Sequence, residues 1–595
     1  MPISDLVFAA EQYALLGLAL AAAYGWGYLL TPWMHRSLGQ SSLLTAPLRM
    51  AAGTGLIMIA LFIAGTLGHF DVGLIVFLLT TGIFAAVLSL LLRARPLRAS
   101  LKQTADSLRH ISSAAWWWSA IALVLVIPII LWPLQVPLEW DELMYHLPYA
   151  RFWAQHSAIV LNEWLRYPLF PYNMELLYGA ALVFDNDVLP HLFHASTAAL
   201  TAILTFGIAS RFFDRRVGLI AVVFVLHATK GSWNQADVDL GMMLFWTSAF
   251  ASLALRANLA DERFSYLAAF FAAIAVGIKY QALFYLPVFV LLALAVERRP
   301  AVIAKAILIF LAAGSYWYLR NWFLSGDPVH PFGGPLFGFW LWTSEDIAGQ
   351  FYDLERVREP PHWYFWIALA APLLWRNSST FFRALSLSAA ASVGVWYFAS
   401  GYPRYLYPAY PMLALLSAYV IIAAATQTGM AERATRALLR SPLKVHRYLP
   451  TIVFSMAAIV SYTEASKLSK KIIPHEDDRS ALLAERFPGY ALVRSLEDRP
   501  VEPLYQLGFE DQLYYLGDSI RGDWFGPGRY ADVIPLVGDA PALADHLRAL
   551  GVSSLLVNTG REPFSKLVWD PRLLEHFQLV SESDGALLLR LRDPN

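Results

Sequence analysis

Apolar stretches of about 20 residues, the length that carries a helix across hydrocarbon, recur along most of this chain. They predict spans near residues 6–30, 50–70, 72–92 and 116–134, then near 188–210, 217–229, 238–255, 264–278, 282–296, 301–319, 362–375, 384–400, 405–425 and 448–462. About fourteen helices result, several of them short or broken by proline. Two polar stretches interrupt the series. Residues 145–187 mix tryptophan, tyrosine, proline and charge; too polar to span and too aromatic for a free linker, they predict helices lying in the membrane interface. Residues 321–361 form a second long loop rich in proline, glycine and aromatics, and loops of that length in compact proteins are usually functional.

From about Ser466 charge rises and the spans stop. Short apolar runs at 503–507, 553–558 and 586–591 predict strands, with a helix at 542–550. The predicted fold class is a polytopic α-helical membrane protein with long outer loops and a small carboxy-terminal α/β domain. It divides into amino-terminal transmembrane helices (1–110), a transmembrane core with an outer loop at 139–187 (111–463) and a soluble domain (464–595).

Composition agrees: 57% of the 595 residues are hydrophobic and 15% charged, too apolar for a soluble protein. Lysine plus arginine equals aspartate plus glutamate, 45 against 45, so no net basic charge points to nucleic acid. Cysteine is absent, which excludes disulfides, thiolate metal sites and cysteine nucleophiles. The start, Met1-Pro2-Ile3-Ser4-Asp5, lacks the positive charge of a signal peptide, so the first apolar run is expected to stay in the mature protein. Basic residues cluster at 93–109, 211–216, 298–305 and 433–447. If the span count holds, all four clusters share one side, and the positive-inside rule makes that side cytoplasmic. Both termini and the loop after residue 134 then face outward.

That loop carries the candidate chemistry. Trp140-Asp141-Glu142-Leu143-Met144-Tyr145-His146 brings two acids to the membrane edge, where carboxylates are costly and usually functional; the plain alternative is a helix cap. His146 follows Glu142 at helical spacing, so Asp141, Glu142 and His146 can also be read as a divalent-cation site. Asp237 and Asp239 either cap the next span or line a substrate pocket. Lys279 either snorkels or binds substrate, Arg320 and Arg404 stand at span ends as headgroup anchors or functional cations, and His330 is either a substrate contact or a turn residue. Trp116, Trp117 and Trp118 read as interfacial belt.

Asp141-Glu142 after a span, Tyr167-Pro168-Leu169-Phe170-Pro171, Gly277-Ile278-Lys279-Tyr280, Tyr318-Leu319-Arg320-Asn321-Trp322 with Gly326-Asp327-Pro328-Val329-His330-Pro331-Phe332, and Tyr402-Pro403-Arg404-Tyr405-Leu406 occur in an order that resembles the GT-C superfamily of membrane glycosyltransferases. The likeness is to the bacterial protein mannosyltransferases and the aminoarabinose transferases of lipid A, and it covers about 116–462. The chain departs from it in having three spans before the acidic loop. The resemblance implies inverting transfer of a sugar from a polyprenyl-phosphate carrier to a glycan, lipid or protein acceptor on the outer face of the inner (plasma) membrane. Asp141 is then the base and Glu142 positions the acceptor or a cation, while Arg320, Arg404, Lys279 and Arg166 hold the leaving phosphate. His146, Asp237, Tyr280, Asn321, His330 and Tyr405 are the other substrate-binding candidates. No cofactor is required, Mg or Mn being the divalent alternative. The rival reading is a transporter or flippase for a lipid-linked glycan, which should show paired repeats with matching broken helices.

Overall fold

The computed structural model describes residues 3–39, 42–92, 129–427, 476–497 and 503–593, with isolated positions between 459 and 472. Among the described residues seven helices are long and apolar enough to cross a membrane: Ile3–Leu30, Leu43–Thr66, Val72–Leu91, Leu189–Phe212, Asp239–Leu259, Thr380–Ala399 and Pro403–Thr426. Pro300–Gly314 with Tyr316–Ser325, bent by 56°, makes an eighth. The chain is a multi-pass membrane protein. Fourteen spans are expected from sequence, and the difference has two sources. The predicted spans at 116–134 and 448–462, the tryptophans at 116–118 and the basic clusters at 93–109 and 433–447 lie largely outside the described residues. The rest are shorter helices, Arg215–Thr229, Arg263–Val276 and Gln281–Val296, together with the 3₁₀ segment Trp363–Asn377.

The amino-terminal helices pack backbone to backbone. A Cβ on Gly53 would fall 1.7 Å from the Ala23 carbonyl oxygen, and one on Gly25 would fall 1.8 Å from that of Gly82; small residues let helices approach this closely where no water is available to drive association. Arg49, inside the Ser42–Thr66 helix and fully buried, donates to the Tyr24 hydroxyl at 3.0 Å and the Thr31 carbonyl at 3.1 Å. A continuous apolar cluster runs from Leu44, Met58 and Phe62 of these helices to Tyr149, Trp153 and Trp317.

The Asp239–Leu259 helix is the most enclosed of the spans, with 78% of its apolar window buried. It packs against Arg263–Val276 and Leu189–Phe212. It and Leu189–Phe212 each start near the polar loops and end at basic side chains, Arg256 and Arg211.

The carboxy-terminal part forms a five-stranded sheet, β1 (Leu504–Leu507), β2 (Ile520–Arg521), β3 (Ser554–Asn558), β4 (Phe577–Ser583) and β5 (Ala586–Leu591), in the order β2-β1-β3-β5-β4. β1 pairs in parallel with β2 and β3, while β5 runs antiparallel to β3 and β4. The helix Ala540–Ala549 closes the core through Leu543 and Leu547, which pack with Leu555, Val557 and Leu589. This domain is fastened to the polar loops of the helical part. Arg479 Nη1 donates to Asp187 Oδ1 at 2.9 Å, Arg151 to the Tyr514 carbonyl at 2.8 Å, Tyr515 to the Pro137 carbonyl at 2.8 Å, and Arg529 to the Thr343 hydroxyl at 2.7 Å.

Candidate functional site

The acidic pair opens a π-helical turn, Glu142–His146, closed by the Leu147 N–H on the Glu142 carbonyl, before the chain settles into Leu147–His156. A π turn is wider than an α turn, so residues five apart, Asp141 and His146, come to share a side, and Glu142 is thrown to another. Glu142 is wholly buried. Its Oε1 accepts from the N–H groups of Leu138 at 2.7 Å and Glu139 at 2.8 Å; its Oε2 accepts from Ala236 N–H at 2.8 Å and meets His191 Nε2 at 2.7 Å. With both oxygens spent, Glu142 ties three loops together and does not face substrate, which corrects its expected catalytic place.

The loop it grips carries two further acids. His194 Nδ1 donates to the Gln235 carbonyl at 2.8 Å, and its Nε2 accepts from Leu240 N–H at 3.0 Å. That pins the turn from which Asp237 and Asp239 project. Arg404, delivered by the Pro403–Ala409 3₁₀ segment, gathers all three outlying carboxylates. One Nη bonds Asp141, the other donates to Asp237 Oδ2 at 3.1 Å, and Nε lies 3.8 Å from Asp239 Oδ2. Lys279 Nζ donates to Asp239 Oδ1 at 3.0 Å and stands 4.1 Å above the Tyr405 ring. The result is three carboxylates on two cations, drawn from positions up to 263 residues apart.

This environment splits the acids. Burial raises the Asp141 carboxyl, but Arg404, His146 and Lys279 outweigh it and hold the group at about 2. Burial pushes Asp237 up, Asp141 and Asp239 add to the rise against Arg404, and the group is pushed up to about 7.

Beside the cluster opens a cavity of about 410 Å³ whose walls are largely apolar, Tyr145, Tyr167, Phe170 and Phe284 among them, with His146, Lys279, Tyr280 and Tyr405 also in the lining. His146 Nδ1 meets Glu175 Oε1 at 2.5 Å. Burial lowers this histidine and raises Glu175 well above the usual carboxylate range.

The remaining candidates build the walls. The Tyr280 hydroxyl lies 3.0 Å from the Leu169 and His330 carbonyls and accepts from Asn321 Nδ2 at 2.8 Å. Arg320 is a correction: it donates to the Phe170 carbonyl at 3.2 Å and to Asn321 Oδ1, lies 4.5 Å from the Trp317 ring, and is spent on packing. Arg166 is another, its guanidinium paired with buried Asp523 of the sheet domain and stacked on Phe525. His330 meets the Trp340 carbonyl at 2.7 Å, as a loop residue does. Asp141, Glu142 and His146 turn to Arg404, His191 and Glu175 respectively, so they do not converge on a divalent cation, and among the described residues no group of three or more His, Asp or Glu side chains could hold one. Sequence reading missed Glu175, His191 and His194. Their signal was polar residues inside apolar helices, His191 and His194 one turn apart.

A solved structure of ArnT from Cupriavidus metallidurans, bound to undecaprenyl phosphate, matches with a TM-score of 0.53 at 15% identity, covering 80% of this chain and 98% of that one. The fold is that of ArnT. The apo form of ArnT matches likewise, with a TM-score of 0.50. Residues 478–590 match the family model SF2091/S2213. The uncharacterized Shigella flexneri protein SF2093/S2215 is 32% identical over 125 residues, 20% of this chain and 61% of that protein. A second Shigella flexneri protein, SF2092/S2214, is 28% identical over 118 residues, 18% of this chain and 64% of its own length. The chain thus spans under two thirds of these curated relatives, whereas the ArnT likeness takes in nearly all of ArnT.

Proposed function

We propose that this chain is an inverting glycosyltransferase that moves a sugar from a polyprenyl-phosphate carrier to an acceptor hydroxyl. The observation that carries the reading is Arg404 held among Asp141, Asp237 and Asp239, with Lys279 alongside, at the edge of an apolar cavity. Such a transfer needs cations for the departing phosphate, a base for the attacking hydroxyl and an apolar groove for the carrier tail. Arg404 Nε is buried with no hydrogen-bond partner of its own, a donor in reserve for a phosphate oxygen, and arginine binds such oxygens in a fork. As the phosphate draws the guanidinium, Asp141 loses the partner that keeps it acidic and becomes the base. The hydroxyl oxygen bonds to the anomeric carbon, its proton passes to Asp141, and the bond from that carbon to the phosphate oxygen breaks, releasing polyprenyl phosphate. Tyr145, Tyr167, Phe170 and Phe284 line the way for the first isoprenoid units.

Two further observations support the reading. The ArnT structure with the same fold holds undecaprenyl phosphate. Arg256 ends the helix that Asp239 begins, and Arg211 ends the Leu189–Phe212 helix packed beside it, so the positive-inside rule directs the cluster outward. We assign the active site and the sheet domain to the periplasmic or extracellular side of the plasma membrane. The reaction proceeds without a resident divalent ion, because Arg404 and Lys279 supply the charge one would bring. The test is to incubate the purified full chain with a panel of polyprenyl-phosphate sugars and follow release of polyprenyl phosphate. Release that requires Asp141 and survives EDTA is expected. Movement of intact donor across vesicles without cleavage would instead identify a flippase.

A further inference from the structure

Trp140, the residue before Asp141, leaves 40% of its surface exposed. The Arg561 guanidinium of the sheet domain stands 5.5 Å from its ring centre and donates to Glu510 Oε1 at 3.0 Å. The same carboxylate oxygen accepts from Trp524 Nε1 at 3.1 Å, and Trp524 is itself 45% exposed. The residue before Trp524 is Asp523, which grips Arg166 of the helical part. Trp140, Arg561, Glu510 and Trp524 thus form a contiguous rim that joins the residue preceding Asp141 to the sheet domain.

We propose that this rim is the subsite for a carbohydrate acceptor, an oligosaccharide laid against the exposed faces of Trp140 and Trp524. The proposal rests on the glycosyl-transfer reading and names its acceptor class. An indole offers a broad apolar face with a polar edge, which suits a sugar ring, apolar across its C–H face and polar around its circumference. Arg561, whose side chain is about a third exposed, stands beside Trp140 as a planar donor for adjacent sugar hydroxyls. Glu510 is 2% exposed and bonded to Arg561, Trp524 and Tyr530, so the platform is fixed before anything binds. A tryptophan serving only as a membrane anchor needs no buried carboxylate to set its ring.

The experiment applies the full chain in detergent micelles to an array of lipid-free bacterial surface oligosaccharides, with donor cleavage measured separately on the same preparation. Retention of at least one glycan is expected, reduced about tenfold by Trp524→Ala, the scale of one lost aromatic anchor. Trp524→Phe, which keeps a flat face, should recover part of the loss, and Arg561→Gln should weaken retention on an independent side of the rim. Retention of no glycan, or retention indifferent to Trp524→Ala and Arg561→Gln, overturns the proposal. A preparation that cleaves donor yet holds no glycan refutes the rim alone; one that holds glycans through Trp524 yet cleaves no donor refutes the transferase reading alone.

Discussion

At Asp141 and Asp237 one guanidinium serves two carboxylates of opposite tendency, and that gives each a distinct expected behaviour. Asp141→Asn keeps the shape and removes the basic oxygen, so transfer should fall by roughly 10²–10⁴-fold, the usual worth of a general base, while the thermal midpoint in detergent stays near that of the parent. Asp237, facing Arg404, Asp141, Asp239 and Lys279, titrates near 7. Below that pH it is neutral and the cluster balances two anions against two cations; above it a third anion appears and opposes the incoming phosphate. A donor phosphodiester does not itself titrate in this range, so its KM should rise as pH climbs through about 7, and Asp237→Asn should flatten the profile. A wild-type KM that is level from pH 6 to 8 would refute the assignment. Stability follows the same signs. The Asp237 contribution is full below about pH 4 and is lost as pH rises toward 7, while that of Asp141 is lost as pH falls from about 4 to 2.

Among elements, the π turn and the loop it grips decide how the site is held. Buried Glu142 satisfies three backbone N–H groups and His191, so Glu142→Ala strands all of them. Breaking a buried charged pair typically costs about 3–5 kcal/mol, and a fall of many degrees in the thermal midpoint is expected, with Glu142→Gln retaining part of it. If Glu142→Gln instead kept full stability and lost all transfer, the strut assignment would fail. These residues also show what sequence can carry. The order of Asp141, Lys279 and Arg404 along the chain was legible because charges beside apolar runs stand out, and the structure joins them. The divalent-cation alternative for Asp141, Glu142 and His146 assumed an α-helical spacing where a π turn intervenes, and that turn sends Glu142 away from His146. Arg320 and Arg166 were misread for a different reason: their partners, the Phe170 carbonyl and Asp523, are fixed by loop paths and domain docking that no local pattern encodes. In the sheet domain β1, β3 and β5 were legible as buried apolar runs, whereas β4, with residues 578–580 exposed, carries too little apolar signal.

For the whole molecule the claim most open to test is orientation, since the chemistry requires cluster and sheet domain on the side where lipid-linked sugars meet their acceptors. The chain has no cysteine, so a single introduced thiol reports one position without background. Glu582→Cys, exposed beside the β4–β5 turn, and Ala257→Cys, exposed at the basic end of Asp239–Leu259, place thiols at the two ends of the bundle. An impermeant maleimide added to intact spheroplasts should label the first and not the second, and both should react after lysis. The expectation follows from charge: Arg211, Arg215, Arg216, Arg256, Arg263, Arg298 and Arg299 gather at the end marked by Ala257, and such an excess is retained in the cytoplasm. Labelling of Ala257→Cys from outside would put the cluster on the cytoplasmic face. Donor access from that leaflet would then replace the outward transfer proposed above.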